Sequence, residues 1–200
     1  MTDETQQAGQ HIVLVASRLL GARPEDLWLD DITPSFPWAQ RYRFVRAMSR
    51  DRRCAVIAVG EFEPALPLTD GSGLERLSAI LLVEKGEIPG DLSGPALAEA
   101  VRRLTVDPRG LLASPELLRR KSPPLRAWSR TGRSADGALL RAHCVEPRLT
   151  KDAAGWQLEF NYANHAGGIE HWMVTGTRTV IASGHMTMSV ADGTFNWPFE

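Results

Sequence analysis

Three of the five histidines fall in one C-terminal stretch: His165, His171 and His185. Suppose Asn164–Gly168 closes one hairpin and Gly176-Thr177 the next. Antiparallel pairing then sets His185 across from residue 168, near His165, with Glu170 close by. Imidazoles gathered around a carboxylate can bind a transition metal or exchange protons. His165, His171, His185 and Glu170 are therefore the candidate metal or acid–base group. Their spacings, His-x5-His and His-x13-His, match no familiar ligand pattern. A one-residue register slip would also turn His171 to the opposite face. The competing expectation is ordinary hydrogen-bonded hairpin histidines and no cofactor.

Other chemistry-bearing residues are weaker candidates. His143 and Cys144 are adjacent, but strand neighbours point to opposite faces and cannot form a thiol–imidazole pair. Both Cys54 and Cys144 read as buried structural thiols. Gly71-Ser72-Gly73 precedes a helical pattern but lacks the lysine of a phosphate-binding loop, and Asp70 beside it would repel an anion. Glu61 with Glu63, and Asp30 with Asp31, are carboxylate pairs that read as solvated charges.

The basic residues are segregated. The chain of 200 residues has a net charge of −1, so no global field favours nucleic acid or a membrane. By blocks the charge runs −4 over 1–40, +5 over 41–53, −6 over 54–101, +7 over 102–133 and −3 over 134–200. Arginine outnumbers lysine 20 to 3. Its planar fork suits carboxylate and phosphate recognition. Arg119, Arg120, Lys121, Arg126, Trp128, Arg130 and Arg133 form the candidate binding patch, on a connector over 122–137 rich in Pro, Gly, Ser and Arg. In the segment 41–48, Tyr42 and Phe44 alternate with Arg41 and Arg43. That puts aromatics and guanidiniums on opposite strand faces and spoils a stacking platform for single-stranded nucleic acid.

The elements that must position these groups follow from periodicity. Ile12, Val15, Ala16 and Leu19 share one helical face, and Gly21 can close that helix. Residues 22–38 read as a helical turn and a proline-broken loop pinned by Trp28, Phe36 and Trp38. Residues 41–48 and 54–62 read as strands around a turn, with CAVIAVG central in its sheet. A capping box at Ser72 and Glu75 opens a helix over 73–85. Pro95 opens another over 95–105, with Leu97, Val101 and Leu104 on one stripe. Ser114-Pro115 opens a short third. From 138 the period switches to two: strands over LLRAHCVEPRL, WQLEFNYAN, GIEHWMVTG and RTVIASGHMTMSV, then TFNWPF after the turn Asp192-Gly193.

The predicted class is α+β: N-terminal helices packed on a curved antiparallel sheet, with a C-terminal β-meander, as one domain over 1–200. The order resembles the helix-and-curved-sheet architecture of cystatin-like or nuclear-transport-factor-like folds. A polar, slightly acidic N-terminus and two cysteines lead to the expectation of a cytoplasmic protein. No apolar run approaches the ~18 residues of a membrane helix. The first functional reading is a non-catalytic module for a protein partner, acidic if the arginine patch meets it: an adaptor, assembly subunit, chaperone or immunity-type protein. The alternatives are a small enzyme or ligand-binding protein with a histidine-lined pocket, and nucleic-acid binding through the arginine clusters.

Overall fold

A computed structural model describes residues 2–61, 65–120 and 142–189, without the side chains of 2–8, 118–120 and 189. Its order is α1 (Thr2–Leu20), β1 (Leu27–Asp31), β2 (Arg43–Ser49), β3 (Cys54–Val59), β4 (Leu66–Pro67), α2 (Gly73–Lys85), α3 (Gly94–Thr105), β5 (Leu111–Leu112), α4 (Pro115–Arg120), β6 (Arg148–Lys151), β7 (Trp156–Ala163), β8 (Ile169–Gly176) and β9 (Ile181–Ser189). The class is α+β, with an N-terminal helix, antiparallel sheets and a C-terminal meander. The strands form two sheets. The first has the order β1-β2-β3-β4; the second runs β5-β7-β8-β9, with β6 also paired to β7.

The first sheet is covered on both faces, which is why CAVIAV is apolar at every position. Ala55 and Ile57 of β3, with Val45 and Ala47 of β2, pack under Ile12, Ala16 and Leu20 of α1. Val56, Ala58 and Phe44 point the other way, into a core shared with Leu77, Ile80 and Leu81 of α2, Leu97, Val101 and Leu104 of α3, and the inward residues of β7 and β8. The simple in-and-out reading of 41–48 therefore fails at Val45 and Ala47, because α1 buries the second face. One core thus joins both sheets, and burying this much apolar surface is the main stabilising force.

Several expectations are corrected. Leu27–Asp31 is a strand, not a loop, paired with β2 from Leu27↔Ser49 to Asp31↔Val45. It lacks apolar alternation because it is an exposed edge whose aspartates pair with β2: Asp30–Arg46 at 2.6 Å and Asp31–Arg43 at 2.8 Å. Phe36 and Trp38 are buried as expected, but Trp28 is 54% exposed. The capping box is not made: Ser72 makes no side-chain cap. Instead the Ser72 N–H donates to Asp70, which also pairs with Arg76. Ser93 caps α3 by accepting from the Ala96 N–H. Ala142 and His143 are helical, and the expected strand there begins only at Arg148. The final strand TFNWPF lies outside the described residues.

Candidate binding cleft

The structure separates the histidine group. The second hairpin is centred two to three residues later than expected. Thr177 N–H bonds to Val180 C=O, and His185 pairs with Met173, not residue 168. Gly176 stays within β8 because the Trp156 ring crosses it: a Cβ there would sit 2.3 Å from the indole. His185 is exposed. Glu170 and His171, as strand neighbours, face opposite ways. Glu170 faces inward and accepts from Arg102 at 2.9 Å, Trp172 at 2.7 Å and Asn164 at 2.8 Å. His171 Nδ1 lies 2.8 Å from Asn161 Oδ1. His165, in the turn after β7, rests on both Asp107 oxygens at 3.1 Å. Among the described residues no three His, Cys, Asp or Glu side chains gather in a way that could hold a metal.

The expected binding patch falls largely beyond description. Arg119 and Arg120 end α4 with undescribed side chains. Lys121, Arg126, Trp128, Arg130 and Arg133 lie outside the described residues, as does the connector over 122–137.

What the structure assembles instead comes from the arginine pair of α3. Arg102 continues the inward stripe that includes Ala98, and it is only 2% exposed. Its guanidinium lies between the rings of Tyr162 (4.4 Å) and Trp172 (4.2 Å) and pairs with Glu170. Burial pulls its pKa down, and the Glu170 carboxylate pushes back. Burial likewise pushes Tyr162 well above the usual phenol value. It therefore stays a neutral donor, to the Asp107 carbonyl at 2.8 Å. The Asp107 side chain accepts from the His165 and Arg109 backbone N–H groups, both at 3.2 Å. This network fixes the start of the segment 107–112.

Arg103, one residue on, projects from α3 into an open cleft of about 960 Å³. Its walls come from β1, the 32–38 loop, α3, the 108–112 segment and α4. Phe36 and Trp38 hold the loop wall in an aromatic cluster with Phe44. Glu84 of α2 anchors the loop's exit by accepting from the N–H groups of Gln40, Arg41 and Tyr42 at 2.7–3.0 Å. Arg46 lines the cleft from β2, tied to Asp30 and to the Pro108 carbonyl.

The charges around this cleft are unequally matched. Asp30 and Asp31 are neutralised within the first sheet by Arg46 and Arg43. Glu99 and Glu116 are engaged in interactions of their own, and Glu146, exposed, is a fifth carboxylate of the lining. The Arg103 and Arg109 guanidiniums form no ion pair or side-chain hydrogen bond among the described residues. Trp38 Nε1, Arg46 Nε and Arg103 Nε also have no acceptor there. These are three of the six buried donors without an acceptor among the described residues, the others being Ser17 Oγ and Arg102 Nε and Nη1; native proteins leave few such donors unmet.

The thiols are not activated. Burial raises the pKa of both, that of Cys144 to about 11. Neither thiol forms a disulfide. Native protein at neutral pH is expected to react slowly with a thiol reagent at Cys144, and both thiols should titrate at once on unfolding. Rapid labelling of native Cys144 would contradict that placement.

Comparison with family models, curated proteins and solved structures finds no match for this chain. Among the described residues no helix is long and apolar enough to cross a membrane.

Proposed function

We propose that this protein is a non-catalytic protein-binding module whose cleft takes an acidic segment of a partner. The observation that carries the reading is the pair of cleft arginines, Arg103 and Arg109, neither of which forms an ion pair among the described residues. Guanidinium forks bind carboxylates in bidentate geometry. Arginine and tryptophan are also the residues most enriched where interfaces concentrate binding energy. Asp30 and Asp31 are neutralised by Arg46 and Arg43, so the repulsion an incoming carboxylate meets comes from Glu99, Glu116 and Glu146. The sequence over 102–133 carries a net charge of +7, the sign that speeds encounter with an acidic partner.

Selection of displayed random peptides on the full chain tests this reading. Segments rich in Asp and Glu should be enriched. Their dissociation constants should rise roughly a hundredfold in Arg103→Ala/Arg109→Ala, about 3 kcal/mol for losing desolvated charge pairs. Enrichment of basic or uncharged segments, or affinity unchanged in that double variant, would overturn it.

One observation favours a second reading, a ligand-binding protein or small enzyme. Asp107 orients His165 through both its ring and its backbone, leaving the imidazole half exposed. On that reading His165→Ala abolishes binding or turnover of a small ligand while peptide binding by the cleft is unchanged.

A further inference from the structure

We propose that two copies of this chain pair through β1, joining their first sheets edge to edge. β1 is a terminal strand of its sheet. The Ile32 N–H bonds to the Phe44 carbonyl, which fixes the alternation. Trp28 and Asp30 bond towards β2, and the N–H and C=O of Leu29 point away from the sheet. Neither group has a partner among the described residues. Trp28 and Leu29 are 54% and 42% exposed, two of the three large apolar side chains of this edge strand.

Edge strands usually carry charge that deters pairing. Here that deterrent is cancelled from within, because Asp30 and Asp31 each hold an arginine of β2. What remains is a self-complementary strand, LWLDD. An antiparallel pair about a twofold axis at Leu29 sets Leu29 against Leu29, Trp28 against Asp30 and Leu27 against Asp31 of the other copy. No aspartate meets an aspartate. A twofold shifted onto Asp30 or Asp31 would oppose like charges, which disfavours those registers. Leu29 N–H and C=O exchange two hydrogen bonds across the axis. Asp31 N–H donates to the Leu27 carbonyl of the other copy, twice by symmetry. The Leu27 N–H takes no part, being bonded to Pro24 C=O. On one face the two Leu29 side chains meet. On the other, Trp28 lies beside the Asp30–Arg46 pair of the other copy, within reach of a cation–π contact. The result is an isologous dimer, the commonest closed symmetry. Asp30 and Arg46 also line the cleft, so the pairing sets the other copy's Trp28 at the cleft wall, but its test reads oligomeric state and not peptide binding.

Sedimentation equilibrium of the full chain tests it. The wild-type chain should be a reversible dimer. Leu29→Lys and Leu29→Glu should each be monomeric, with dissociation constants raised roughly a hundredfold. Mixed together they should recover a dimer, which unfolded chains would not do. In the wild type, hydrogen exchange at the Leu29 amide should slow as concentration rises. A wild-type monomer at all concentrations, a dimer that survives Leu29→Lys, or a Leu29 amide whose exchange ignores concentration would each overturn the proposal.

Discussion

Replacing Arg102 by Met should lower the unfolding free energy by about 3–5 kcal/mol, the usual loss when one member of a buried ion pair is removed. For a domain of this size that is a fall in Tm of about 10 °C. Met keeps the stem but not the guanidinium that lies between Tyr162 and Trp172, so the loss combines the missing charge with the space the fork leaves. Glu170 would keep its bonds from Trp172 and Asn164 but lose the cation that compensates its charge. Glu170→Gln added to Arg102→Met removes that stranded charge while keeping an acceptor for Trp172. The double variant should therefore recover part of the stability, a coupling that a double-mutant cycle reads directly. Thermal unfolding of the four proteins decides the matter. Wild-type stability in Arg102→Met would mean the guanidinium is not enclosed as described.

Gly73→Ala should be the most damaging of the small substitutions. A Cβ at residue 73 would lie 1.9 Å from the Leu68 carbonyl oxygen and 3.2 Å from Thr105 Cβ. Leu68 is fully buried and Thr105 sits on α3 in the core, so neither can withdraw cheaply. The first turn of α2 must then shift. Overpacking of this kind costs about 1–3 kcal/mol or more, outweighing the ~1 kcal/mol that alanine gains over glycine in a helix. Gly9→Ala is the control: nothing lies within 4 Å of its Cβ, so the helical gain of α1 should appear alone. Equal Tm values for the two variants would contradict the close approach of α2 to residue 68.

Much of the scaffold was legible in the residues because it follows local periodicity. CAVIAV reads as a central strand, Leu97, Val101 and Leu104 mark the buried stripe of α3, and WQLEFNYA shows the two-residue alternation of β7. β1 was not legible. Its stability comes from ion pairs with arginines that lie well downstream, and its side chains are mostly exposed, so no apolar pattern marks it. The histidine group failed for a related reason. Its geometry hung on the register of one hairpin, and Gly176, which suggests a turn, is there because Trp156 needs the space. The cleft was not legible. The binding patch expected over 119–133 lies almost wholly outside the described residues, and periodicity alone did not separate buried Arg102 from Arg103 in the cleft. The partners of Asp107 and Glu170 are remote in sequence, His165 and Arg102, so composition could not reveal them.

The most direct measurement is a titration of the arginine Nε–Hε resonances with an acidic peptide obtained from the selection. Arg103 and Arg109 should both shift as the peptide saturates. Arg76, already paired with Asp70 at 2.5 Å, should not move. Bound peptide that leaves Arg103 and Arg109 undisturbed would place the binding surface elsewhere and contradict the assignment of the cleft.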